Sequence, residues 1–321
     1  MHRVLITGGA GFIGSHLAGR LLGRGLAVHV LDNLDPFYDP ALKRRNLEAV
    51  GAVGGARFTF AEGDIRDPAA CRAAVAGCDV VVHLAALAGV RPSIQDPVRY
   101  MDVNVTGTQV LLQAITDPAV RVVFGSSSSV YGGRTEVPFR ESDPIDRPVS
   151  PYAASKRAGE LQCWTWHHLH GNPVTCLRFF TVYGPRQRPE MAIHRFTRDI
   201  VAGRPLPFFG DGSSERDYTY VDDIVTGVEA ACARARGYGI YNLGGSAVTS
   251  LRDLVRGLEQ ALGRAAVLDR QPDQPGDVPR TFADTTRAAT ELGYRSATPV
   301  AEGLQRFCAW YLAERAAGSI A

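Results

Sequence analysis

Two rhythms of apolar residues alternate through roughly the first half of the chain. Short β-branched runs at residues 4–7, 27–31, 57–61, 80–84, 120–124 and 174–179 read as strands, several of them apolar at nearly every position. A strand open to water on one face alternates apolar and polar side chains; a continuous run implies cover on both faces. Between these runs the apolar period lengthens to that of an amphipathic helix, at 13–24, 96–116 and 151–168. Strand and helix in turn predict an α/β chain built of βαβ units around a parallel sheet.

Past residue 180 the rhythm breaks. Pro and Gly cluster at 184–189, 203–207 and 272–279, which punctuates loops and short helices. A helix at 221–233 and a strand at 239–242 resume the earlier pattern. The chain is therefore expected to divide between residues 1–179, with 220–243 returning to them, and a smaller mixed α/β lobe of 180–219 and 244–321.

Composition narrows the function more than the fold. The 321 residues are 45% hydrophobic and 21% charged, enough for a large core. With 35 Lys+Arg against 33 Asp+Glu, the net charge of +2 gives no basic face for nucleic acid, though a phosphate-bearing small molecule needs only a few placed cations. Six scattered cysteines have neither C-x-x-C nor zinc spacing and read as buried thiols in a reducing compartment. No run reaches the ~18 apolar residues of a spanning helix, and no apolar leader precedes the first strand. A soluble cytoplasmic protein is expected, without membrane or metal. His167, His168 and His170 lack partnered carboxylates and read as a solvated helix end.

The first strand runs into Thr7-Gly8-Gly9-Ala10-Gly11-Phe12-Ile13-Gly14 and then a helix. Gly8 suits a tight turn, Gly11 a close approach of backbone to a pyrophosphate, and Gly14 close packing of helix on strand. N–H groups at the helix start, those of Phe12 and Ile13 among them, then face the anion. Asp32 ends the second strand, where a carboxylate accepts from both adenosine ribose hydroxyls and repels a 2′-phosphate, favouring NAD over NADP. Strand, glycines, helix and acid at this spacing predict a Rossmann-type doubly wound sheet. Asn33, with Asp64-Ile65 after the third strand, is placed to frame the adenine half. Lys43 reads equally as a cofactor contact or a solvated helical lysine.

Ser150 and Pro151 suit the N-cap and first turn of the third helix. Four residues apart, Tyr152 and Lys156 share one face of it. An ammonium beside the phenol favours phenolate and lowers its pKa, which makes Tyr152 a candidate general base.

With these residues the chain resembles the extended short-chain dehydrogenase/reductases over essentially its whole length. The resemblance rests on the glycine fingerprint, His83-Leu84-Ala85-Ala86, the serines at 126–129 before Val130-Tyr131, and Tyr152…Lys156. Within that family, Arg178-Phe179-Phe180-Thr181 through Arg188-Pro189, Met191-Ala192-Ile193 and Phe209-Gly210-Asp211-Gly212…Arg216-Asp217-Tyr218 are similar to the UDP-glucuronate 4-epimerases. The resemblance implies a retained NAD that takes and returns the C4 hydride of a UDP-sugar. It implies Tyr152 as base, Lys156 also on the nicotinamide ribose, Ser127 on the C4 oxygen, and Leu84, Ala85 and Ala86 against the cofactor.

For the sugar nucleotide, the same resemblance implies contacts from Ser128, Thr181, Ile193 and Arg188, with Arg216 on the diphosphate and Asp277 on the uridine ribose. Gln274 stands where some sugar epimerases have an arginine, so Arg280 or Arg91 is expected to compensate. Related 4,6-dehydratases carry an Asp-Glu pair in the serine segment and UDP-glucuronate decarboxylases a glutamate; this chain has no acid there. Many UDP-glucose epimerases have Asn where this chain has Thr181, a smaller hydroxyl that leaves room for a charged C5 group. Arg188 offers a planar cation for a carboxylate, or a diphosphate contact. A neutral-sugar 4-epimerase is the alternative; a non-catalytic NAD sensor fits less well because the Tyr–Lys pair is intact. Finally, the resemblance implies a homodimer through the 96–116 and 151–168 helices.

Overall fold

All six apolar runs are strands: β1 (Arg3–Thr7), β2 (Ala27–Asp32), β3 (Phe58–Glu62), β4 (Val80–His83), β5 (Arg121–Ser127) and β6 (Val174–Phe179). Six more follow, β7 (Thr181–Tyr183), β8 (Pro205–Phe209), β9 (Glu215–Tyr220), β10 (Tyr238–Leu243), β11 (Val248–Ser250) and β12 (Val267–Gln271). The computed structural model describes residues 1–245, 247–272 and 279–320. In it a seven-stranded sheet runs β10-β6-β5-β4-β1-β2-β3, every neighbouring pair parallel. The strand expected at 239–242 is thus the outermost member, beside β6. Strand order reverses between β1 and β4, and that crevice, at the carboxyl ends of the strands, is where a doubly wound sheet binds ligands.

The continuous apolar runs are explained by cover on both faces. Val4, Ile6, Val80 and Val82 pack with α1 (Phe12–Gly23), α2 (Pro40–Gly54) and later helices; Leu5 and Val81 face α3 (Pro68–Val75) and its neighbours on the other side. The helix expected at 96–116 runs from Pro97 to Gln113, after the short α4 (Val90–Gln95). It is continuous: α5 (Pro97–Met101) and α6 (Gly107–Gln113) are joined by a π-helical turn (Asp102–Thr106) whose flanking residues keep right-handed helical dihedrals. Turns of this kind recur at functional sites.

The remaining helices are α7 (Pro151–His170), α8 (Ala192–Ala202), α9 (Val221–Arg234), α10 (Leu251–Leu262) and α11 (Val300–Ala316). Ser150 caps α7 as expected, its hydroxyl accepting from the Ala153 N–H at 3.1 Å. The chain leaves the large sheet after β6 and at once starts β7, which pairs with β9 in a separate three-stranded sheet with β11. On β9, the buried Asp217 carboxylate accepts from the Gly245 and Ala283 N–H groups and the Thr219 hydroxyl, tying three segments together.

A buried ion pair fastens α7 to β6. Arg178 Nε and Nη2 lie 2.8 and 3.0 Å from the two Glu160 oxygens. Ser126 donates to Glu160 at 2.7 Å, while Arg178 also donates to the Tyr131 hydroxyl, which donates to Asn242. All six cysteines are free and buried. Among the described residues no helix is long and apolar enough to cross a membrane.

Candidate active site

A cleft of about 390 Å³ opens at the strand-order reversal, floored by the glycine turn and the end of β4 and walled by β5, the start of α7 and the 179–191 segment. The glycine turn has the form its sequence requires. Gly8 sits at φ +72, and a Cβ there would lie 2.6 Å from the Ala85 nitrogen. A Cβ on Gly14 would strike the Gly8 carbonyl at 2.4 Å, so only glycine lets α1 start against the turn. At Gly11 a Cβ would meet the Gly8 carbonyl at 3.2 Å and otherwise little, which leaves this side of the turn open to a close ligand. Backbone N–H groups at the start of α1 border this space, a cradle suited to a pyrophosphate.

Asp32, Asn33 and Asp64 gather at one end of the cleft with Ile65. The Asp32 carboxylate is held by the Ala10 and Leu34 N–H groups at 3.1 and 2.9 Å, and burial pushes its pKa up. Asn33 donates to Asp64 at 2.9 Å, and Arg66 grips the same acid at 2.8 Å, lowering its pKa to about 2. Lys43 is no solvated helical lysine. It is buried, donates to the Asp35 carbonyl at 2.8 Å, lies over the Tyr38 ring, and has its pKa lowered by burial.

At the other end Tyr152, Lys156 and the serines at 126–129 share the wall with Leu84, Ala85 and Ala86. The phenol faces Ser127. The Lys156 ammonium donates to the Gly125 carbonyl at 2.7 Å, 5.1 Å above the Phe124 ring, and burial lowers its pKa to about 8. The expected depression of the Tyr152 pKa by this lysine is corrected. In the protein alone burial pushes the phenol up, and the groups that pull it down are Ser127 and Arg188. Asn104, from the π-turn, bonds the Leu87 N–H and carbonyl at 2.8 and 2.9 Å and the Ser155 hydroxyl at 2.9 Å, so it locks the cleft floor to α7. Tyr100 adds a second brace, donating to the Ala88 carbonyl while its ring stands edge-on to Tyr152. A histidine completes the scaffold. His83 bridges Thr7 and Thr108 at 2.7 and 2.9 Å. Because Thr108 already donates to the Asn104 carbonyl, it accepts from the ring, which is neutral with its pKa pushed down to about 3.

Thr181 and Arg188 line the cleft opposite the serines. Arg188 lies 5.8 Å over the Phe37 ring and pairs with Glu190 at 3.1 Å. Its charge reaches Tyr38, Lys43, Tyr100 and Tyr152, so it is the cation common to both ends of the cleft.

A profile of the NAD dependent epimerase/dehydratase family matches residues 4–244. The chain belongs to that family. Relatives of known name are similar over nearly all of it. UDP-glucuronate 4-epimerase 4 of Arabidopsis thaliana is 41% identical over 331 residues, 96% of this chain and 75% of that one. The crystal structure of a UDP-glucuronic acid 4-epimerase from Bacillus cereus, in complex with UDP-glucuronic acid and NAD, superposes with TM-score 0.90 and 35% identity, covering 97% of this chain and 99% of that one. A dTDP-glucose 4,6-dehydratase from Streptomyces venezuelae with NAD bound superposes equally, at TM-score 0.90 and 37% identity over 98% of each chain. Fold likeness therefore does not choose the reaction, and the residues of the cleft must.

In this epimerase/dehydratase family member, several residues expected at the substrate stand outside the cleft lining. Ile193 is packed into the core, which leaves only its backbone for a ligand. Arg216 donates to the Glu215 and Pro279 carbonyls, and Arg280 pairs with Glu215 at 2.9 Å. Arg91 lies just beyond Gly89 and Val90 at the mouth, 6.0 Å from the Phe209 ring. Asp277 and Gln274 fall outside the described residues. What sequence reasoning missed is the positioning set, Asn104, Tyr100 and the His83 bridge. An Asn set between two valines in a helical run was one available signal.

Proposed function

We propose that this chain interconverts UDP-glucuronate and UDP-galacturonate at C4, with an NAD retained through turnover. The observation that carries the reading is a cleft holding Tyr152 and Lys156, an acid-free serine wall, and Arg188 with Thr181 opposite. NAD, held by the glycine turn, Asp32, Asn33, Lys43 and Lys156, supplies a reversible hydride acceptor for the sugar carbon. Tyr152 takes the C4 hydroxyl proton, with Ser127 as the hydrogen-bonded relay. In the protein alone burial raises the phenol's pKa, against the pull of Ser127 and Arg188.

The carboxylate sets the hard requirement. A 4-keto sugar acid is a β-keto acid, which loses CO₂ when its C5–carboxylate bond stands perpendicular to the carbonyl plane. Thr181, Ser127, Ser128 and Arg188 offer the hydrogen bonds and fixed charge to hold it away from that alignment. No acid in the serine wall is present to protonate the carbanion that decarboxylation would leave. The same absence disfavours dehydration.

The division of labour follows the sheets. Residues 1–179 with 220–243 form the cofactor side; 180–219 and 244–321 form the sugar side. The protein works in the cytoplasm, and it works as a homodimer, the second reading supported by exposed Ile94, Val98, Leu161 and Trp164 on α4, α5 and α7. Purified protein incubated separately with UDP-glucuronate and UDP-glucose, with products resolved by proton NMR, tests the reaction. UDP-galacturonate with little UDP-pentose is expected. Efficient turnover of UDP-glucose with UDP-glucuronate inert would leave the neutral-sugar epimerase standing instead.

A further inference from the structure

A second cavity, of about 260 Å³, lies behind the cleft between α1, α2, the 185–189 segment, α8 and α11. It shares only Tyr38 with the cleft. Three features of its wall are unexplained by the reaction. Arg186 sits at φ +63, a left-handed conformation that a non-glycine residue holds at a cost. Its guanidinium, half-buried, makes no hydrogen bond or ion pair with a described residue; burial pulls its pKa down and only Glu314 attracts it. Next to it Gln187 is buried with Oε1 unpartnered, and His194, also buried, has Nδ1 unpartnered.

Orphaned polar atoms and a desolvated cation are costly in a folded protein, and they cluster here. Arg45 brings a second cation from α2, against the single carboxylate of Glu314. Both histidines of the wall, His16 and His194, are kept neutral by burial, each with its pKa lowered to about 4. Among the described residues the wall therefore carries one excess positive charge, with Leu42, Trp310 and Ile320 supplying apolar surface. That combination suits a small anion with a flat or apolar body.

We propose that this cavity is a second ligand site, taking a small organic anion whose carboxylate or phosphate pairs with Arg186 and Arg45. Gln187 lines the cavity and the next residue, Arg188, lines the cleft, so an occupant that fixes this segment also fixes Arg188. The site is then regulatory, and it does not depend on which sugar the cleft turns over.

The test titrates phenyl phosphate and, separately, benzoate into NAD-loaded protein saturated with UDP-glucuronate already brought to equilibrium, at constant ionic strength, by calorimetry and melting temperature. Filling the cleft with the whole sugar nucleotide covers its diphosphate and its carboxylate subsites and keeps both out of the signal. Saturable one-site binding of at least one probe is expected, and the probe that binds identifies the headgroup. Arg186→Gln should weaken it by about ten-fold or more, as expected for losing a charge-assisted bond. Ala49→Phe fills the cavity from an exposed position of α2 and should abolish binding while sparing UDP affinity. Should Arg186→Gln fail to fold, Ala49→Phe decides alone. Neither probe saturating, or equal affinity in wild type and variants, overturns the site.

Discussion

Replacing Arg188 by alanine separates the sugar acid from the neutral sugar. In the ligand-free cleft this guanidinium is paired with Glu190 at 3.1 Å, and the two side chains are 20% and 41% exposed. A substrate carboxylate therefore exchanges one acid partner for another. A hydrogen bond between charged groups contributes about 1.5–3 kcal/mol, and the half-exposed pair it displaces is worth up to about 1 kcal/mol. The net is about 1–2 kcal/mol, so Arg188→Ala should lower kcat/KM for UDP-glucuronate about 5–30-fold. For UDP-glucose, which has no carboxylate, the change should stay within about two-fold. Glu190→Gln removes the competing acid and should move UDP-glucuronate the other way, by up to about five-fold. Initial rates on both nucleotides, followed by NMR, give the comparison, and the same spectra report any UDP-pentose from a loosened carboxylate. Equal losses on both sugars would assign Arg188 to the diphosphate. No loss on either would remove it from the site.

Tyr152→Phe should retain fold and NAD while turnover falls by roughly 10²–10⁴-fold, the range for a positioned acid–base group; near-normal turnover removes Tyr152 from that role. Asp32→Ala should yield protein purified with less bound NAD, and NADP should not replace it in the wild type; preferential NADP binding contradicts the assignment. Asn104→Ala leaves the Leu87 N–H and carbonyl unpaired, at about 1–3 kcal/mol for each buried group, so the urea midpoint should fall along with kcat. For acid stability, His16, His83 and His194 bind protons more weakly when folded than the unfolded value of 6.5. Their contribution is complete above 6.5 and is lost as pH falls toward their folded values, at up to about 1.4 kcal/mol per pH unit for each group. His83→Gln should flatten that slope between pH 6.5 and 4; an unchanged slope in urea titrations would show that His83 is already charged.

The parts of this molecule that were legible in the sequence are those set by local pattern. Valine-rich runs such as 80–84 declare buried strands because both faces must be apolar. Gly8 and Gly14 declare the turn because no side chain fits there, and helical period puts Tyr152 and Lys156 on one face, a pair whose weight comes from the glycine cradle and the serine strand-end beside it. The misses share another cause. Lys43 read two ways, as cofactor contact or solvated lysine, because its burial depends on Tyr38 and Asp35 folding back over α2, a tertiary arrangement. The π-turn at 102–106, inside the expected helix, carries Asn104, whose partners Leu87 and Ser155 lie far along the chain. For Arg216 and Arg280, expected at the diphosphate, the ligand-free protein adds partners that no spacing rule encodes, backbone carbonyls for Arg216 and Glu215 for Arg280. In the protein alone burial raises the Tyr152 pKa, and the groups that lower it are Ser127 and Arg188, a tertiary arrangement that helical spacing does not encode.

The Arg178–Glu160 pair also constrains how this lineage can change. Truncating Glu160 strands the buried Arg178 charge, at about 3–5 kcal/mol, a large part of the stability of a typical domain, and truncating Arg178 leaves the buried Glu160 with only the partly exposed Arg157 at 3.3 Å. Replacing both with well-packed apolar residues is often neutral or better. The two positions are therefore joined by a fitness valley. One-step drift is closed to them, and both are expected to stay fixed while the surrounding surface diverges. A library that varies them singly should return only the parental pair, whereas one that varies them together, with Ser126 and Tyr131, has new solutions to find.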